Sequence, residues 1–271
     1  MIAALLLAAQ ASATSFAPPL DRPLHAVTEA TRTDAGVTRR FTSSRRIVFR
    51  RAGTGFRAEV TIESGAPATT GDDDPAAMFR AGFARIAGQT IVLHLDPAGG
   101  VTAIDDQPAV WKAFLDGITA LAPTGTGNLD RKRAGQVRAV LAALASMPPE
   151  RQRTTLASLV APLIATDIVA AGESPPRAVR VPAGSAFGAA HLDGIRAVRR
   201  VGSHLAVSVS ATGEVTMRGP EGPAAGRVTL ETLRQVDPVC GLVLEARDAV
   251  RIELAGALPS IRLNVTTLRL P

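Results

Sequence analysis

The sequence predicts an α+β fold: a curved antiparallel sheet or half-barrel drawn from both ends of the chain, with a central helical insertion. Three observations carry this. Near each end, apolar and polar residues alternate with period two. Phe56, Ala58, Val60 and Ile62 face away from Arg57, Glu59, Thr61 and Glu63, and Val250, Ile252 and Leu254 alternate with Arg251 and Glu253. Between residues 107 and 170 the apolar spacing becomes helical. Turn chemistry punctuates the rest, as in Asp34-Ala35-Gly36, Asp96-Pro97-Ala98-Gly99-Gly100 and Asp237-Pro238-Val239-Cys240-Gly241.

The elements follow in order. Met1–Ala9 is an apolar run, and Ala11-Ser12-Ala13 supplies a small-x-small pattern, so residues 1–13 read as a secretory signal cleaved after Ala13. No Lys or Arg precedes the run, which departs from the usual signal. Residues 14–106 read as a β meander with one helix and a hairpin. Its strands are expected at His25–Thr33, Val37–Ser44, Arg45–Arg51 and Phe56–Glu63. Asp74-Pro75 opens a helix to about Ala87, because Asp caps exposed N–H groups and Pro suits the first helical position. The hairpin pairs Thr90–Leu95 with Val101–Ile104.

Residues 107–172 read as the helical insertion. Helices are expected over Gln107–Leu121, Asn128–Ser146 and Pro149–Ala170, with Pro162 kinking or breaking the third. Residues 173–271 are strand-like again after Ser174-Pro175-Pro176 and are expected to complete the same sheet. Strand segments stand out at Leu205–Ser210, Arg227–Leu233, Leu242–Arg247, Val250–Leu254 and Ile261–Val265.

Composition bounds the function. The 271 residues carry a net charge of +6, nearly all of it from arginine, with Lys112 and Lys132 the only lysines. Ala, Arg, Gly and Pro abundance is what a GC-rich genome encodes, and the arginines are spread along the chain rather than blocked together. Aromatic residues make up 3%, so the core is expected to rest on Val, Leu, Ile and Ala. A single cysteine, Cys240, forbids an internal disulfide.

The chemistry-bearing residues offer no assembled motif. His25, His94, His191 and His204 lack metal-ligand spacing, so neither a metal nor a cofactor is expected. Asp72-Asp73-Asp74 reads as charge gathered at a helix start, and Asp105 and Asp106 as turn and cap residues. Ser185, within Gly184-Ser185-Ala186-Phe187-Gly188, lacks the spacing of a nucleophile elbow. Trp111 lies on an apolar helix face, so sugar stacking is disfavoured. Arg39-Arg40, Arg45-Arg46 and Arg50-Arg51 form a basic stretch, and Arg131-Lys132-Arg133 a second. Interleaved aromatics are limited to Phe41, Phe49 and Phe56, and the last two suit core positions. A solvated strand face or contact with anionic lipid heads fits better than nucleic acid.

Leu93-His94-Leu95-Asp96-Pro97-Ala98-Gly99-Gly100-Val101 and Val236-Asp237-Pro238-Val239-Cys240-Gly241-Leu242-Val243-Leu244-Glu245 give the chain its resemblance. It resembles uncharacterised secreted bacterial proteins built on a β-sheet with a helical insertion. The second stretch is similar to their D-x-x-T-G-L hairpin, with Cys240 where Thr is usual. The resemblance implies a fold class and an exported compartment, and no activity.

The expectation is a non-catalytic periplasmic or secreted protein that binds a hydrophobic or amphipathic ligand, such as a lipid, or a partner or anionic surface at the envelope. No nucleic acid and no transmembrane segment in the mature chain are expected. The alternative is a hydrolase in which Ser185, Asp105 or a histidine converges in a cleft.

Overall fold

A computed structural model describes residues 16–65, 75–122, 128–185, 188–219 and 222–270. Its framework is one open, curved antiparallel sheet of 11 strands. The strands are β1 Pro23–Asp34, β2 Val37–Ala52, β3 Gly55–Gly65, β4 Thr90–Leu95, β5 Val101–Ile104, β6 Ser174–Ser185, β7 Gly188–Val201, β8 His204–Gly219, β9 Gly222–Val236, β10 Val243–Leu254 and β11 Ser260–Arg269. Their spatial order is β5-β4-β3-β2-β1-β11-β10-β9-β8-β7-β6. The join between the two halves of the chain is the β1–β11 pair, where Ala26 faces Leu268 and Arg32 faces Arg262. Every other neighbour in the sheet follows in sequence, by a hairpin except for β3 and β4, which are joined through a helix, and β5 and β6 are the free edges.

The helices are α1 Pro75–Arg85, α2 Gln107–Thr119, α3 Asn128–Ala145, α4 Pro149–Ala157 and α5 Thr166–Ala171, with a 3₁₀ turn at Ala161–Leu163. The expected third helix is therefore broken into three pieces around Pro162, as a ring without an N–H and with a clash at the preceding turn requires. α2 begins where Asp106 adopts φ 47°, and its side chain makes no cap hydrogen bond. Asp106 thus serves through its backbone carbonyl, which accepts from the Ala109 and Val110 N–H groups. Asp72-Asp73-Asp74 lies outside the described residues. Among the described residues no helix is long and apolar enough to cross a membrane.

Two expected strand breaks are absent. Val37–Ser44 and Arg45–Arg51 are one strand, β2, because no turn residue lies between them; a bulge at Ser44/Arg45 absorbs the irregularity against β3. Likewise β10 runs unbroken through Asp248-Ala249. The expected turns form. Asp34-Ala35-Gly36-Val37 closes β1–β2 with positive φ at Ala35 (50°) and Gly36 (79°), the left-handed pair that matches the twist of a two-residue hairpin. Asp237 organises the β9–β10 turn: its carboxylate accepts from the Val239 N–H at 2.8 Å, and its carbonyl from the Gly241 N–H at 2.9 Å.

The main core lies between the β1–β5 half of the sheet and the helices. It holds Leu24, Ile47, Phe49, Ala58, Val60 and Leu93 from the strands, and Phe114, Ile118, Leu156 and Leu163 from the helical region. The core is mainly aliphatic, as expected, and the few aromatics are concentrated here. Phe16 stands edge-on to Phe49 at 5.4 Å and Phe56 at 5.3 Å, and all three are buried. Its N–H donates to the Pro97 carbonyl, and that of Ala17 to Cys240, so the chain entering the sheet locks both turns. A second cluster joins Ala165 and Ile168 to Val198, Leu205, Val207, Val236 and Val243.

Candidate functional site: an arginine-walled apolar cavity

Beyond the last packed residues of β1 and β2, the sheet and α1 separate. The space between them is a cavity of about 300 Å³, whose wall also includes Ser158 and Leu159. Its position follows from the sequence. On the helix-bearing face, β1 continues from Leu24 and Ala26 to Thr28, Ala30 and Arg32, while β2 continues from Ile47 to Arg45, Ser43 and Phe41. Small and polar residues here replace the large aliphatics that fill the core, so α1 has less to pack against. Phe79 and Phe83 of α1 roof the cavity, and Ile62 and Phe41 form its floor.

Three guanidinium groups line this apolar space: Arg32, Arg45 and Arg80. Arg80 lies over the Phe41 ring, 3.8 Å from its centroid, a cation–π contact that ties α1 to β2. Arg45 is half-buried, and its Nε has no hydrogen-bond partner. Burial pushes its pKa down to about 10. A folded pKa below the unfolded value means that the charge opposes folding. That penalty is fully present below about pH 10 and is relieved as the pH rises above it towards the ordinary arginine range. Arg45→Met, which keeps the stem and removes the charge, is therefore expected to raise stability by about 1 kcal/mol or more in urea melts. A lower stability would show that the guanidinium is held by stronger partners than its burial suggests.

The basic stretch is thereby split between two faces. Arg39 and Arg45 share the helix-bearing face with Ile47, whereas Arg40 and Arg46 alternate to the other side. Arg50 is on the outer face too, bonded to Glu59 at 2.9 Å and Asp21 at 2.8 Å. Of the three pairs, Arg39, Arg45 and Arg51 lie on the helix-bearing face and Arg40, Arg46 and Arg50 on the other.

The structure does not assemble the other sequence candidates. His94 Nε2 lies 2.7 Å from Asp105 Oδ1, but the pair is exposed on the outer face of β4, opposite the core residues Leu93 and Leu95. The neighbouring Thr102 hydroxyl donates to the His94 carbonyl rather than to its ring. His25 is 3.5 Å from Glu63, His191 is exposed on β7, and His204 Nδ1 is 3.4 Å from Ser203 Oγ at the β7–β8 turn. Ser185 ends β6, its backbone paired with Gly188. Among the described residues no group of three or more His, Cys, Asp or Glu side chains could hold a metal ion. Cys240 is buried in the main core, and desolvation pushes its thiol up to about 11, which keeps it protonated at neutral pH. Trp111 is buried and stacked on Phe114 at 5.1 Å, as its apolar helix position predicts.

A second, open groove of about 570 Å³ runs between the β4–β5 turn and the α4 region. Its one carboxylate, Asp96, is already used by the turn, accepting from the Ala98 and Gly100 N–H groups at 2.8 Å each. Sequence reading missed the arginine-walled cavity because Arg32, Arg45 and Arg80 lie on three separate elements. The one readable sign was arginine at inward positions of β1 and β2, where alternation calls for an apolar residue. No family model matches the chain, and no curated protein matches it.

Proposed function

We propose that this protein is a non-catalytic carrier or binding protein for an amphipathic small molecule, taken up in the cavity between α1 and strands β1–β3. We further propose that it works in the periplasm or outside the cell, on the strength of the signal-like Met1–Ala13 segment. The carrying observation is an apolar cavity of about 300 Å³ with guanidinium groups in its wall. That volume falls at the lower end of small-molecule sites, which combine apolar lining with a few placed polar groups. Burying a charge such as Arg45 is costly to the fold, and a ligand that brings a compensating polar group would offset that cost.

The test is mass spectrometry of an organic extract of the protein purified from its native source without detergent. A stoichiometric amphiphile is the expected result. In parallel, Ala30→Phe places a ring in the cavity and is expected to abolish binding while the protein stays folded. The sole tryptophan reports on occupancy: Trp111 stacks on Phe114, whose ring lies 5.7 Å from Phe79 and 5.1 Å from Phe83 of the cavity roof. A ligand-free extract, together with unchanged Trp111 emission on titration with fatty acids and phospholipids, would sink this reading.

A further inference from the structure

Arg45 stands where the sheet calls for an apolar residue. On the helix-bearing face of β2 it follows Ile47, and its cross-strand neighbours are Ala26 of β1 and Ile62 of β3. The irregularity between β2 and β3 falls at the same position. Bulges of this kind re-aim a side chain and recur beside functional sites.

The three guanidinium groups in the cavity wall are not equivalent. Arg80 lies over the Phe41 ring, and Arg32 and Arg80 hold interactions of their own. Arg45 is the exception: no charged or hydrogen-bonding group offsets its desolvation, and its Nε is buried without a partner. With a pKa of about 10 it is still charged at neutral pH. No Asp or Glu occurs among the described residues that line the cavity, so nothing in that wall neutralises it. Ser43, the next residue on the same face of β2, also lines the cavity and offers a hydroxyl donor.

We propose that the cavity takes an anionic amphiphile with a single apolar chain, its carboxylate paired with the Arg45 guanidinium and its chain lying among Ile62, Phe79 and Phe83. The proposal rests on the cavity being the ligand site and names the class of ligand. The charge of the head follows from Arg45. A planar guanidinium matches the two oxygens of a carboxylate, and here it has already given up much of its water in folding. A neutral head would leave it unpaired, and a cationic head would add a like charge. The single chain follows from size: about 300 Å³ holds about ten groups of the size of a water molecule, at ~30 Å³ each, which is one chain of medium length and not two.

The experiment is a titration of the whole protein at neutral pH, read by calorimetry and Trp111 fluorescence. The probes are decanoate, the uncharged decanol and the cationic decyltrimethylammonium. Decanoate is expected to bind about tenfold or more tightly than decanol, as one charge-assisted contact provides, and decyltrimethylammonium more weakly than either. The advantage of decanoate is expected to persist at high salt, because a buried pair is screened far less than an exposed one. Arg45→Met is expected to bring decanoate down to the level of decanol, and Arg45→Lys to keep part of the difference. Equal binding of decanoate and decanol to the unaltered protein would overturn the assignment of the head and leave the cavity reading intact. A full decanoate advantage in Arg45→Met, or one that vanishes with salt, would place the anion on surface arginines and equally overturn it. If none of the three probes bound, the cavity reading itself would fall, and this proposal with it.

Discussion

Phe114→Ala is expected to destabilise the protein by about 3–5 kcal/mol, the largest effect of any single truncation in the helical layer. Phe114 of α2 is fully buried, stacked on Trp111 and set against Phe79 and Phe83 of α1. Truncation removes the ring's transfer energy and its aromatic contacts, and leaves a void that its rigid neighbours fill only in part. The second consequence is functional. Phe79 and Phe83 roof the cavity, and both rest on this ring. Urea melts should show the full loss of stability. Trp111 emission should shift even before unfolding, because its stacking partner is gone. A loss under about 1 kcal/mol would mean that α1 and α2 are held by the sheet rather than by this cluster.

How much of this was legible in the sequence follows from which interactions are local. Turn chemistry and period-two alternation are properties of neighbouring residues, so the hairpin Thr90–Ile104, the Asp237 turn and the antiparallel character of both ends could be read directly. The break at Pro162 was legible for the same reason. Strand length was not. β8 extends to Gly219 and β9 starts at Gly222, well beyond the Leu205–Ser210 and Arg227–Leu233 segments, because long hairpins continue through residues with weak alternation. β6 and β7 were not delimited at all. Pro175, Pro176 and Pro182 argue against a central strand, and β6 accommodates them by being an edge. The candidate site needed more still. That Arg262 flanks Arg32 depends on joining residues more than 200 positions apart through the β1–β11 pair, whereas Arg39 faces Arg32 within the β1–β2 hairpin. No local pattern encodes that register, although each arginine at an inward position was a visible departure from alternation.

The crossing of α1 and α2 supplies the other large effect. Two glycines let the helices approach: a Cβ at Gly117 would lie 2.4 Å from the Ala81 carbonyl oxygen and 2.7 Å from the Arg85 Cβ, and one at Gly82 would lie 2.4 Å from the Phe114 ring. The Gly117 obstruction is backbone, which cannot rotate away as a side chain does. Alanine in a helix interior ordinarily gains up to about 1 kcal/mol over glycine. At Gly117 the clash is expected to outweigh that gain, with Gly117→Ala losing about 1–3 kcal/mol net. For a chain of this size that is a fall of about 2–4 °C in Tm per kcal/mol. Gly135 of α3 provides the contrast, since a Cβ there meets nothing within 4 Å. Gly135→Ala should therefore raise Tm. The opposite signs separate close packing from helix propensity, because propensity alone predicts a gain at both positions. If Gly117→Ala stabilised the protein as Gly135→Ala does, the tight α1–α2 crossing would be wrong. The cavity would then have a different roof, since that roof is carried by α1. If the crossing is right, the displaced α1 should also bind the amphiphile more weakly at temperatures where the variant is still fully folded.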